Sequence, residues 1–324
     1  MELGHCHVKR ARLAPAQHPL HCDAISLGIA AMTAAKKIEW PNGAKLAISL
    51  VINVEEGAEQ NVQDGDKGPE PVDELGAVPK RPMRVHGNES NYRYGINAGW
   101  PRILKLLDAY QIDPTITAAA LALKRAPEIA AAIRLRRWEV AGHGYRWSHQ
   151  FWMEEAKERA FITDARNLIL ETVGTRPEGW LSRYLHTENT RRLLTEEGFS
   201  YHMDDYSGDL PFWDMVDTSS GKRPILIMPY AIDTNDMKMW VAPAMQPWDW
   251  ARYAIETLNW LQREAREGEA RMASIGLHLR IVGRPGRIAA LEAVLAHIAT
   301  MENVWVASRA NIAAAFATQV KAPA

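Results

Sequence analysis

Apolar residues along this chain fall into two patterns. Short unbroken runs alternate with longer stretches in which they recur every three or four positions. Leu46–Val54 (LAISLVINV) is the clearest run, β-branched and free of charge, as expected of a strand buried on both faces. It stops at Glu55-Glu56-Gly57. Residues 114–119, 138–141, 178–181, 199–202, 225–229, 273–279 and 304–307 read as further strands. Helices are expected over 100–110, which has a proline at its start, over 126–135, and over 153–173 with its i, i+4 charge pairs. Others are expected over 190–197, 248–267 and 287–301. The stretch 57–84, rich in Gly, Pro and acidic residues, reads as a functional loop or lid.

Strands that alternate with helices form a parallel sheet covered on both faces, either a barrel or a doubly wound sheet. No Gly-x-Gly-x-x-Gly follows the first strand, which weighs against nucleotide binding. Polar residues gather just after strand ends, at Glu55, His143, Arg183, Asp204, Asp233 and His278. In a (β/α) barrel that face carries the active site.

Charge and composition narrow the choice. A net charge of -1 argues against nucleic acid or an anionic membrane as the partner. No apolar run approaches the roughly 18–20 residues that span a bilayer. The only cysteines, Cys6 and Cys22, imply no disulfide framework and fit a reducing cytoplasm. Residues 1–37 read as a separate arm. Lys9, Arg10 and Arg12 suggest a targeting segment, but Pro15 and Asp23 interrupt the stretch after them. The spacing of His5, Cys6, His7, His18, His21 and Cys22 fits no closed zinc site.

Several residues carry candidate chemistry. Glu55 and Glu56 end an apolar strand, where a carboxylate serves as general base, as metal ligand or as part of a solvated turn. His143 lies between two glycines and His149 comes six residues later. With a carboxylate they make a candidate metal site, although that spacing matches no regular element. His278, near the end of its strand, is placed to protonate a leaving amine. Asp233-Thr234-Asn235-Asp236 is too short for an EF-hand and reads as a hydrogen-bonded loop at the site rim. Trp147 and Trp180 are candidates to line a pocket for a flat substrate.

Together, Val54-Glu55-Glu56-Gly57, Gly142-His143-Gly144-Tyr145-Arg146-Trp147, Asp233-Thr234-Asn235-Asp236-Met237 and Ile275-Gly276-Leu277-His278 resemble the motifs of the polysaccharide-deacetylase (NodB-homology) superfamily. More narrowly, they resemble its branch of metal-independent allantoinase and cyclic-imide hydrolases. The likeness runs from about Trp40 to the end and takes in Gly179-Trp180, Asn189-Thr190-Arg191-Arg192-Leu193 and Leu210-Pro211-Phe212-Trp213. It implies a distorted (β/α) barrel forming a single domain over 38–324, assembled as a homo-oligomer, tetramer or dimer. In deacetylase members an acidic pair supplies a base and a metal ligand, and two histidines complete the metal site. By position these are Glu55, Glu56, His143 and, allowing a two-residue insertion, His149. The late histidine, a general acid, matches His278. The allantoinase-like branch shares the Glu-Glu pair and the Tyr-Arg-Trp insertion, with Asp expected where this chain has His149.

The resulting expectation is a cytoplasmic hydrolase of a non-peptide C–N bond that opens a small cyclic amide, imide or ureide. Glu55 activates water and His278 protonates the leaving nitrogen. A divalent ion such as zinc on Glu56, His143 and His149, or hydrogen-bond donors in its place, stabilises the oxyanion. Tyr145, Trp147, Arg183, Asp233 and Asn235 are the candidate substrate contacts, and no organic cofactor is expected. The alternatives are an N-deacetylase of an acetylated amino sugar or polysaccharide, and an inactive barrel that only binds a ligand.

Overall fold

The computed structural model describes residues 38–323 apart from 73, 77, 78 and 80. The arm expected over 1–37, with its histidines and cysteines, lies outside the described residues. Nine strands occur among the described residues: β1 (Leu46–Val54), β2 (Thr115–Ala118), β3 (Glu139–Gly142), β4 (Gly179–Trp180), β5 (Tyr201–His202), β6 (Phe212–Thr218), β7 (Gly221–Ile227), β8 (Arg271–His278) and β9 (Val304–Val306). The helices are α1 (His86–Tyr94), α2 (Trp100–Ala109), α3 (Ala120–Arg125), α4 (Pro127–Arg136), α5 (Glu155–Val173), α6 (Thr190–Glu196), α7 (Pro247–Glu267), α8 (Leu279–Val282), α9 (Pro285–Thr300) and α10 (Arg309–Gln319).

β1 is buried at every position, and its alternate side chains serve two layers. Ile48, Leu50 and Ile52 share a cluster with Ile103 and Leu107 of α2. Ala47 and Val51 belong to the interior cluster with Met203, Met228 and Tyr230. β8 runs parallel beside β1 along its length, with Leu46 opposite Arg271 and Asn53 opposite His278. On the other side, β9 pairs with the first residues of β1 and β2 with the last. The sheet continues from β2 through β3, β4 and β5 to β7, all parallel.

Two features depart from strict strand–helix alternation. β6 and β7 form an antiparallel hairpin at the sheet edge, where the apolar pattern predicts only a strand beginning near 225. Among the described residues no strand ladder closes the sheet between this hairpin and β8. One backbone bond spans the gap, from the Met272 N–H to the Asp209 carbonyl at 2.8 Å. The buried guanidinium of Arg309 does the rest. It donates to the Ser49 and Ser274 hydroxyls and to the Met228 and Pro229 carbonyls. Small residues at 47, 49 and 274 leave it room. The barrel is thus distorted, and a side chain stands in for missing strand pairing.

Candidate active site

The side-chain period of β1 decides which glutamate faces the site. Residues 47, 49, 51 and 53 point inward, and 55 continues that row, whereas 56 continues the outward row of Val54. Both carboxylates are buried. Glu55 Oε1 faces Nε2 of His143 at 3.4 Å and Nε2 of His278 at 3.3 Å. Its Oε2 accepts a hydrogen bond from Arg280 at 2.7 Å. Burial works to raise the Glu55 pKa, but His278, Arg280 and His143 prevail and hold it well below the usual carboxylate range. Glu55 is therefore an anion in the resting site.

His278 stands between two carboxylates. Nδ1 pairs with Asp236 Oδ1 at 2.6 Å and Nε2 faces Glu55. Burial alone would lower its pKa; Glu55 and Asp236 outweigh it and push the imidazole up to about 10. At neutral pH it is a buried imidazolium with a proton to give. Asp236 is fixed in turn, since its Oδ2 accepts the N–H groups of His278 and Val282. His143 is oriented differently, with Nδ1 on the Leu181 carbonyl at 2.7 Å and Nε2 turned to Glu55.

These groups form the floor of a cavity of about 200 Å³. Trp147, Tyr184, Tyr230 and Asn235 line its walls, and Tyr206, Ile232 and Val241 line its exposed rim. Trp147 and Asn235, two of the expected substrate contacts, are both among the lining residues. Asn235 donates to the Tyr230 hydroxyl at 3.1 Å, and its Oδ1 caps the turn that carries Asp236.

The other expected substrate contacts are placed differently. Arg183 borders the cavity, yet its guanidinium is committed. It bonds both oxygens of Glu70 at 3.0 and 2.6 Å and the Trp147 carbonyl, and stacks 3.7 Å above the Trp147 ring. Both terminal nitrogens tie it to Glu70 of the 57–84 loop and to Trp147, while its Nε is buried without a partner. Tyr145 packs against the hydrophobic core and does not line the cavity. Trp180 is also core, its indole N–H donating to Gln150 and Ser182. Asp233 accepts from the Tyr253 hydroxyl and borders a neighbouring cavity instead. The aspartate of that loop that meets His278 is Asp236, three residues on.

The expected metal ligands do not assemble. Glu56 accepts the backbone N–H groups of Arg280 at 3.0 Å and Glu55 at 3.2 Å. Burial raises its pKa despite Arg280 nearby. The His149 ring packs against Phe151 and Tyr184, and burial and then Arg183 lower its pKa. Among the described residues no three His, Cys, Asp or Glu side chains converge as a metal cage. The Arg280 guanidinium, 2.7 Å from Glu55 and 3.5 Å from Glu56, already supplies the fixed positive charge at this carboxylate pair.

Comparison with known proteins agrees with this architecture. Residues 90–202 match the polysaccharide deacetylase family model. A putative polysaccharide deacetylase of Schizosaccharomyces pombe is 33% identical over 297 residues, covering 86% of this chain and 92% of the relative. The crystal structure of PuuE allantoinase is 39% identical with a TM-score of 0.81, covering 86% of this chain and 92% of the other. A probable polysaccharide deacetylase from Pseudomonas aeruginosa is 38% identical with a TM-score of 0.81, covering 86% and 93%. No helix among the described residues is long and apolar enough to cross a membrane.

Proposed function

The chain belongs to the polysaccharide deacetylase family, and from its site we propose that it hydrolyses a C–N bond of a small cyclic amide, imide or ureide. The observation that carries this reading is the cavity. At about 200 Å³ it lies below the ~300–1,000 Å³ typical of drug-sized ligands, which suits one small ring. Its aromatic walls suit a flat substrate. The 39% identity to PuuE allantoinase supports the same class.

In this reading the substrate carbonyl sits over Glu55, between the two Nε2 atoms, and water attacks its carbon. Glu55 takes a proton from the water as the new C–O bond forms. His278 gives its Nε2 proton to the ring nitrogen as the C–N bond breaks, leaving an open-chain carboxylic acid with a free N–H. His143 holds the water against Glu55. The low pKa of Glu55 makes it a weak base at rest. Once His278 has given up its proton, the proton held by Glu55 passes to it and restores the resting carboxylate–imidazolium pair. Arg280 keeps the carboxylate in place throughout.

The test is a proton NMR time course of the purified protein with allantoin, hydantoin, a simple cyclic imide and an N-acetylated chito-oligosaccharide. Loss of a ring substrate with appearance of its open-chain product is expected. Growth of a free acetate singlet, with the rings untouched, would replace this reading with an N-deacetylase.

A further inference from the structure

The peptide group joining Leu181 to Ser182 is held at both ends by ionisable side chains. Its carbonyl accepts from His143 Nδ1 at 2.7 Å, and its N–H donates to Asp204 Oδ2 at 2.8 Å. The same Oδ2 pairs with Nε2 of His202 at 2.6 Å. All five residues are buried. The parallel ladder creates this arrangement. Gly142 pairs with Trp180 and Trp180 with His202, so residues just past the ends of β3, β4 and β5 stand abreast.

A trans peptide is planar and conjugated, with its C=O and N–H pointing in opposite directions. A carboxylate on the N–H side pushes electron density toward the carbonyl oxygen, and linked hydrogen bonds strengthen one another. We propose that Asp204 is the carboxylate partner of His143, acting through this single peptide group as a positioning residue. It fixes the plane of the His143 ring and keeps a proton on Nδ1, so that Nε2 is the atom facing the reaction space. Its importance for turnover rests on the hydrolytic reading above; the contact itself does not.

Two observations favour this over a merely structural clamp. Both hydrogen bonds to Asp204 converge on Oδ2, while Oδ1 is buried without a partner. An asparagine can accept the same two bonds through its one oxygen, so replacing Asp204 with asparagine separates the carboxylate from the hydrogen bonds it accepts. The site also contains its counterpart. His278 Nδ1 meets Asp236 directly at 2.6 Å, whereas His143 meets Asp204 at one peptide's remove. The two imidazoles reach the same Glu55 oxygen with unequal backing, which suits one to hold a proton and the other to orient water.

The experiment uses the full chain and the near-isosteric Asp204→Asn. Long-range proton–nitrogen NMR of the imidazoles, assigned with His143→Ala, should show the His143 Nδ1 resonance moved from its wild-type position. On the ring substrate kcat should fall about 10-fold, the scale seen for outer residues that orient a ligating or reacting group, with KM little changed. His202→Phe removes a donor that competes for the Asp204 charge, so it should move the Nδ1 resonance in the opposite direction. This second variant also covers failure of Asp204→Asn to fold. An unmoved Nδ1 resonance in the folded variants overturns the proposal, whatever happens to stability or KM. Absence of turnover by the wild type would count against the hydrolytic reading alone, since the NMR comparison needs no substrate.

Discussion

The carboxylate of Glu70 and the guanidinium of Arg183 meet in two parallel hydrogen bonds, 113 residues apart in sequence and sealed from solvent on both sides. Glu70 lies in the loop after β1, and Arg183 lies just past β4 with its plane on Trp147. Glu70→Ala leaves a buried cation with only the Trp147 carbonyl and ring for company, and should cost about 3–5 kcal/mol. Replacing both residues with leucine should restore most of that loss and still free the loop. Urea titrations of the two variants, with limited proteolysis across 57–84, check this. A Glu70→Ala protein as stable as the wild type would show that the pair does not hold the loop.

Protonated His278 predicts two pH effects. Its folded pKa of about 10 lies above its ordinary 6.5. Its stabilising contribution is therefore fully present below that lower value and is lost as pH rises through about 10. The stability gap between wild type and His278→Gln should narrow over this window in thermal melts. The alkaline limb of the activity profile should fall near 10 as the acid loses its proton, and a limb centred near 6.5 would reject the assignment. His278→Ala should cost at least ~100-fold in rate.

Arg280 lies against both adjacent carboxylates, with its guanidinium over the Tyr92 ring. Arg280→Met strips buried Glu56 of its cation, leaves Glu55 with His278, and should cost about 3–5 kcal/mol at neutral pH. Without the cation the Glu56 pKa, already raised by burial, rises further, while His278 still holds the Glu55 anion. Acid then neutralises Glu56 within the fold, and the deficit should be smaller at pH 5 than at pH 8. Paired melts at the two pH values decide it, and an equal deficit at both would contradict the account.

Because Glu56, His143 and His149 do not converge, removing metal should leave turnover unchanged. Dialysis against a strong chelator, followed by elemental analysis and a ring-opening assay, is the direct check. Activity lost on chelation and restored by zinc would make His143 a ligand again.

Why some of this was legible in the sequence and some was not depends on the kinds of signal involved. β1 and β8 are unbroken apolar runs, and Glu55 and His278 stand where those runs end. His143 comes after the short run of β3, between glycines. Helix α1 (HGNESNYRY) has no apolar period to announce it, and β6 alternates weakly because it is half-buried at an edge. Asp236 and Asp233 are indistinguishable by residue type; only the turn from Asn235 brings one of them under His278. Arg280, two residues past His278 in an apolar stretch, carries no motif of its own, and Arg183 reads as a substrate contact. Both roles are set by partners 113 to 225 residues away, which no local pattern reveals.

The full-length pairing of β1 with β8 also bears on how the protein is made. The edge of β1 that receives β8 has its partner in a segment more than 200 residues further along. While the chain emerges from the ribosome, nine uncharged, mostly apolar residues therefore wait with one row of amide and carbonyl groups unpaired, the kind of edge that recruits strands from other chains. A product truncated before residue 271 has Glu55 but neither His278 nor a covered edge, so it is inactive and prone to aggregate. Supplying the missing C-terminal segment as a separate peptide should relieve both defects at once.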